Sequence, residues 1–211
     1  MRLAKRILLF TLLAASAGPA QTVNCVVAVV NGEMITLLDV EVAAEFGLGH
    51  DPAVENEADP RLTALSALID RKIVLDLARE VRGVSKDELA ASVADLRQSV
   101  GEDAFSAKLA KFGLAPKDLE PYLESRILYD RALALRFSQS IPVSVTEVER
   151  HYRDIYVPEQ ARRGVAAEPI DRVAGAIQVR IRDERRAQQT AGWVRDLRKN
   201  ADIQIKKDCL K

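Results

Sequence analysis

The alternation of apolar and polar positions changes period along this chain, first from strand-like to helical and finally back again. Cys25-Val26-Val27-Ala28-Val29-Val30 is a short, β-branched run, and Asn31-Gly32 separates it from Glu33-Met34-Ile35-Thr36. Asn-Gly between two such runs predicts a tight hairpin, because both residues tolerate positive φ. A ribbon of two strands is marginal alone, so a third strand or a helix must cover it. From about Leu37 the period becomes helical. Leu62, Leu65, Leu68, Ile69, Ile73 and Leu77 fall mostly three and four apart, as do Leu89, Val93, Leu96 and Val100, which predicts two core-facing helices. Ser85-Lys86-Asp87-Glu88 places a hydroxyl and a carboxylate three apart ahead of the second stripe, the spacing of a reciprocal cap. Gly101 closes that helix. Phe105, Leu109 and Phe112 mark a short helix stopped by Gly113.

Pro116 suits the first turn of the next helix, which continues through Leu119, Leu123, Ile127 and Leu133 to Phe137, with Pro121 expected to bend its start. Ile141-Pro142 ends that segment. Ser144-Val145-Thr146-Glu147 repeats the capping spacing and launches a helix through His151-Tyr152. Residues Val157 to Glu168 read as polar and irregular, and Pro169 opens a long helix through Ile170, Val173, Ile177, Ile181, Trp193, Val194 and Leu197. The strict alternation in Ala201-Asp202-Ile203-Gln204-Ile205 predicts a final half-buried strand. The expected fold is mainly α, with a small β-ribbon formed by the N-terminal hairpin and the C-terminal strand.

Composition agrees with a packed domain. Of 211 residues 48% are apolar, and only 10 Gly and 8 Pro are present, which argues against a disordered, loop-rich or all-β chain. Arg2, Lys5 and Arg6 precede the apolar run Ile7 to Ala15, and small residues follow at Ser16, Ala17, Gly18 and Ala20. That is the layout of a signal peptide, here residues 1–20, cleaved after Ala17 or Ala20; its apolar run is too short to span a bilayer. The rest, 21–211, reads as one domain with a core over 26–156 and a closing helix and strand over 169–206. The formal balance of 31 basic and 31 acidic residues then becomes 28 against 31, a net charge of −3. Charge is also segregated. Glu33 to Pro60 carries −8 with no Lys or Arg, whereas Ala161 to Lys211 carries +6. Opposite fields favour packing of the two ends.

The chemistry legible in the chain is sparse. His50 beside Asp51 reads as a solvated loop histidine and His151 as a packed one, so neither is assigned as a general base. Asn31-Gly32 is a hairpin turn, not the start of a G-x-G-x-x-G phosphate loop. Arg180, Arg182, Arg185 and Arg186 cluster on the last helix, but Asp183 and Glu184 interrupt them, which disfavours nucleic acid as a partner. No catalytic residue, metal site or cofactor is expected.

The order of elements resembles that of SurA-type periplasmic chaperones. The resemblance is carried by Val27-Ala28-Val29-Val30-Asn31-Gly32-Glu33-Met34-Ile35-Thr36 with Asp39-Val40, then by Leu68-Ile69-Asp70-Arg71-Lys72-Ile73-Val74. Gly83 to Leu89, Phe112-Gly113-Leu114, and Val143 to Val148 with His151-Tyr152 follow in the same order, covering about Val26 to Tyr152. In that family a parvulin-type prolyl isomerase domain commonly follows the helix that ends here near Tyr152. Only Val157 to Glu168 stands in its place, and the two histidines do not pair as such a site requires. The resemblance therefore implies the chaperone core without the isomerase.

Cys25 opens the first predicted strand and Cys209 lies four residues beyond Ile205. Pairing those strands brings the sulfurs together, and such a pair oxidises in an exported protein, so we expect a Cys25–Cys209 disulfide. The resemblance implies an ATP-independent holdase that covers extended or unfolded envelope polypeptides through an apolar groove. Phe46, Leu48, Phe112 and Tyr122 are the candidate client-binding residues. No stable membrane insertion is expected after cleavage, and the oligomeric state stays open. The alternative is a non-catalytic scaffold that binds one folded envelope partner.

Overall fold

The computed structural model describes residues 25–49, 59–78, 81, 83–139 and 141–210. The expected leader and the His50-Asp51 pair lie outside them. β1 (Val26–Val30) is the middle strand of a three-stranded antiparallel sheet ordered β2-β1-β3, with β2 at Glu33–Thr36 and β3 at Ile203–Ile205. Asn31 and Gly32 adopt φ of 48° and 86°, the mirror-image turn whose twist suits a hairpin. Val27 and Ala28 are both buried although they are adjacent, because the pairing with β2 shifts register between Val26 and Ala28. Such a bulge aims consecutive side chains inward.

The helices are α1 (Leu37–Glu45), α2 (Pro60–Leu77), α3 (Lys86–Val100), α4 (Glu102–Phe112), α5 (Glu120–Arg136), α6 (Val145–His151), α7 (Val157–Arg162) and α8 (Ile170–Asn200). Thr36 and Asp39 form a reciprocal cap on α1, and Ser144 and Glu147 form one on α6. At α3 only half of the expected cap forms. Ser85 accepts from the Glu88 N–H, but the Glu88 carboxylate pairs with Arg131 on α5, since a guanidinium is the stronger partner. Pro116 opens a 3₁₀ turn, Pro116–Leu119, and Pro121 sits in the first turn of α5, where a missing N–H leaves no bond unmade.

The first half of the segment read as irregular from Val157 to Glu168 is helical. A π turn, Tyr152–Tyr156, joins α6 to α7, and the Val157 N–H reaches back to the Tyr152 carbonyl. Pro158 explains it. A proline ring collides with the carbonyl four residues before it, and widening that turn relieves the clash without breaking the helix. The irregular stretch shrinks to the residues between α7 and α8, where Gly164 takes a φ of 71°.

Three apolar clusters hold these elements. The largest joins Val27, Val30 and Ile35 of the sheet to Val40, Leu65, Ile69, Phe105, Leu119 and Leu123, with Leu197, Ile203 and Leu210 packed against it. Val74, Tyr129, Ala132 and Val194 fasten the C-terminal half of α8 to α2 and α5. Val148, Ile177 and Ile181 join its N-terminal half to α6. At about 1.5 Å per residue, α8 is long enough to serve both clusters.

The two ends of the described residues meet. β3 pairs with β1 from Ala28 to Val30, and Cys25 and Cys209 form a disulfide with Cα atoms 6.0 Å apart. Among the described residues the ion pairs follow a different plan from the one charge segregation suggested. Glu33 and Glu45 pair with Lys72, Lys108 and Lys111, while Arg180, Arg185 and Arg198 of α8 pair with Glu159, Glu147 and Asp70. The ends are joined by backbone pairing and apolar packing, because partners closer in space satisfy the charges first.

Candidate functional site

β2, α2 and the start of α5 enclose an open cleft of about 720 Å³. Strand and helix periodicity build it. In β2 the buried Ile35 faces the core and its neighbour Met34, 62% exposed, faces out. Leu68, Lys72, Leu75 and Asp76 come from one face of α2, at spacings of four, seven and eight, while Asp118, Pro121, Tyr122 and Ser125 form the opposite wall.

Most of the polar groups on these walls are anchored. Tyr122 donates its hydroxyl to Asp39 Oδ1 at 2.9 Å, while Asp39 Oδ2 accepts the Thr36 N–H at 2.8 Å. Burial pushes the Tyr122 phenol upward, and the Asp39 charge and hydrogen bond add to this, so it remains a donor at neutral pH. Asn31 Nδ2 donates to Asp76 Oδ2 at 3.0 Å, and the same side chain accepts the Asp202 N–H, so the hairpin tip is tied to both α2 and β3. Lys72 pairs with Glu33 at 2.7 Å, and Asp118 accepts the Ala115 N–H. The cleft is thus a preorganised surface with an apolar floor and a carboxylate-rich rim.

β2 is an edge of the sheet. Val30 and Glu33 flank a two-residue turn and form a hydrogen-bonded pair, so the next pair, Val29 and Met34, is of the other kind. The Met34 N–H and carbonyl consequently face the open side, toward solvent, where an extended chain can add to them.

The four candidate residues part company here. Tyr122 lines the cleft. Phe46 and Leu48 do not reach an open surface: they are 4% and 0% exposed, and Phe46 meets Phe105 edge to face at 5.8 Å. Arg71, itself buried, donates to the Leu48 carbonyl at 2.8 Å and locks that turn inward. Phe112 is half-buried against the main core at the end of α4, under Lys111, and is not part of the cleft. Of the residues that line the cleft only Tyr122 was a sequence candidate; Met34, Leu75 and Pro121 are among those that sequence reasoning missed. For Met34 a signal existed, since strand alternation opposite buried Ile35 puts it outside.

A second, smaller cavity of about 260 Å³ lies between α7 and α8, with His151 at its edge. His151 packs as expected, at 7% exposure, and neither ring nitrogen has a hydrogen-bond partner among the described residues. Among those residues no helix is long and apolar enough to cross a membrane. Comparison with protein-family models finds no match for this chain, and neither does comparison with curated proteins.

Proposed function

We propose that this chain is an exported, ATP-independent holdase of the periplasm, resembling the SurA-type chaperone core without its isomerase, that shields extended segments of unfolded envelope and outer-membrane proteins. The observation that carries this reading is the open cleft along β2, where an exposed strand edge at Met34 borders an apolar floor of Ile35, Leu68 and Leu75. Extended chains bind such places by adding a strand and seating alternate side chains. The Cys25–Cys209 disulfide is compatible with an oxidising compartment.

The protein acts on this reading by covering apolar surface, with no nucleotide or cofactor. The test is aggregation of a denatured outer-membrane protein on dilution. Near-stoichiometric suppression without nucleotide is the expected result. No suppression, together with tight capture of one native envelope protein, would replace the holdase by a scaffold.

A further inference from the structure

We propose that the cleft selects extended segments in which a lysine or arginine stands among apolar residues, and discriminates against acidic ones. This rests on the reading of the cleft as a client site and names the client chemistry. The lining groups Glu33, Asp39, Asp76 and Asp118 outnumber the single cation Lys72, a formal balance of −3. That cation is already engaged, because its ammonium lies 2.7 Å from Glu33. The carboxylates retain accepting capacity. Asp76 is exposed and takes one hydrogen bond, from Asn31, and a carboxylate offers about four acceptor positions.

Geometry pairs this charge with an apolar stem. Leu75 and Pro121 belong to the same walls as Asp76 and Asp118. A lysine or arginine laid along them buries its methylenes while its head meets the carboxylates, the usual way such side chains use a mixed surface. An aspartate or glutamate in that place would lose its hydration facing like charge. Adjacent residues of a strand added at Met34 point to opposite sides, so apolar and basic side chains in alternation suit the cleft best.

Three labelled ten-residue extended peptides test this, with the same apolar residues alternating with Lys, Ser or Glu, titrated into the disulfide-bonded protein by fluorescence anisotropy. At low salt the Lys peptide should bind about tenfold more tightly than the Glu peptide, with Ser between, and the ratio should collapse toward unity in about 0.5 M salt. Asp76→Asn should cut that ratio about threefold, whereas Asp183→Asn on α8 should leave it unchanged. Equal binding of all three peptides by a protein that suppresses aggregation overturns the charge preference and leaves the holdase standing. Binding of no peptide and no suppression removes both. A ratio unmoved by Asp76→Asn overturns the assignment to this cleft.

Discussion

Arg198 in the last turns of α8 forms an ion pair with Asp70 in the middle of α2, and the same guanidinium donates to the Ser66 carbonyl at 2.8 Å and the Ser66 hydroxyl at 2.7 Å. The Asp70 side chain is only 6% exposed. A buried carboxylate that loses a charged partner keeps its desolvation penalty with less to offset it. Arg198→Ala should therefore lower unfolding stability by about 3 kcal/mol, and Arg198→Met with Asp70→Leu should regain most of it. Urea denaturation measures both; a single mutant within about 0.5 kcal/mol of wild type contradicts the arrangement.

The disulfide closes a loop across 184 residues. Chain-entropy reasoning sets its effect at about 5 kcal/mol. Cys25→Ser with Cys209→Ser should unfold at a clearly lower urea concentration. Because β3 is held by three pairs with β1, amide exchange at Gln204 should rise more than at Val74. Uniform exchange changes would show that the bond stabilises the whole chain without a special role for the closing strand.

Gly49 approaches α2 so closely that an added Cβ would lie 2.5 Å from the Ala64 Cα. Gly49→Ala must push α1's exit turn away from α2 and should cost about 1–3 kcal/mol. Gly175, an exposed residue inside α8 with nothing within 4 Å of its Cβ position, is the matched control. There the same change should stabilise by about 0.5–1 kcal/mol. Equal effects at the two sites in thermal melts would rule out the close approach.

His151 buries two ring nitrogens that have no hydrogen-bond partner among the described residues. His151→Phe removes that desolvation, and the adjoining cavity can take the slightly larger ring. The variant should match or exceed wild-type stability by up to about 1 kcal/mol. A marked fall in melting temperature would mean that the imidazole is hydrogen-bonded in solution.

Glu147 is held down from its ordinary 4.5 to about 2, first by the Ser144 N–H and hydroxyl and then by Arg185. A depressed carboxyl stabilises the fold above its unfolded value and loses that contribution as pH falls through the folded one. The wild type's advantage over Glu147→Gln should be constant above about pH 5 and shrink steadily between pH 4.5 and 2. Urea midpoints at stepped pH read it directly; an advantage that grows on acidification has the wrong sign for this cap.

Local periodicity and turn chemistry determined much of this architecture. Asn31-Gly32 admits one kind of hairpin, Gly113 one kind of stop, and the three-and-four spacing of Leu65, Leu68, Ile69 and Ile73 one buried face on α2. Even the two cysteines were placed by the strands they flank. These features depend on residues within a few positions of each other, so the chain order contains them. The choice among partners distant in sequence was decided only by the tertiary structure. Glu88 forsook its own helix cap for Arg131, Glu33 and Glu45 of the acidic front found Lys72 and Lys108, and Phe46 and Leu48 went inward while Met34 stayed outside. Pro158 widened a helix that its composition had suggested would end. Each outcome turned on which groups the packed fold brought within reach, a competition among several acceptable partners that local pattern leaves undecided.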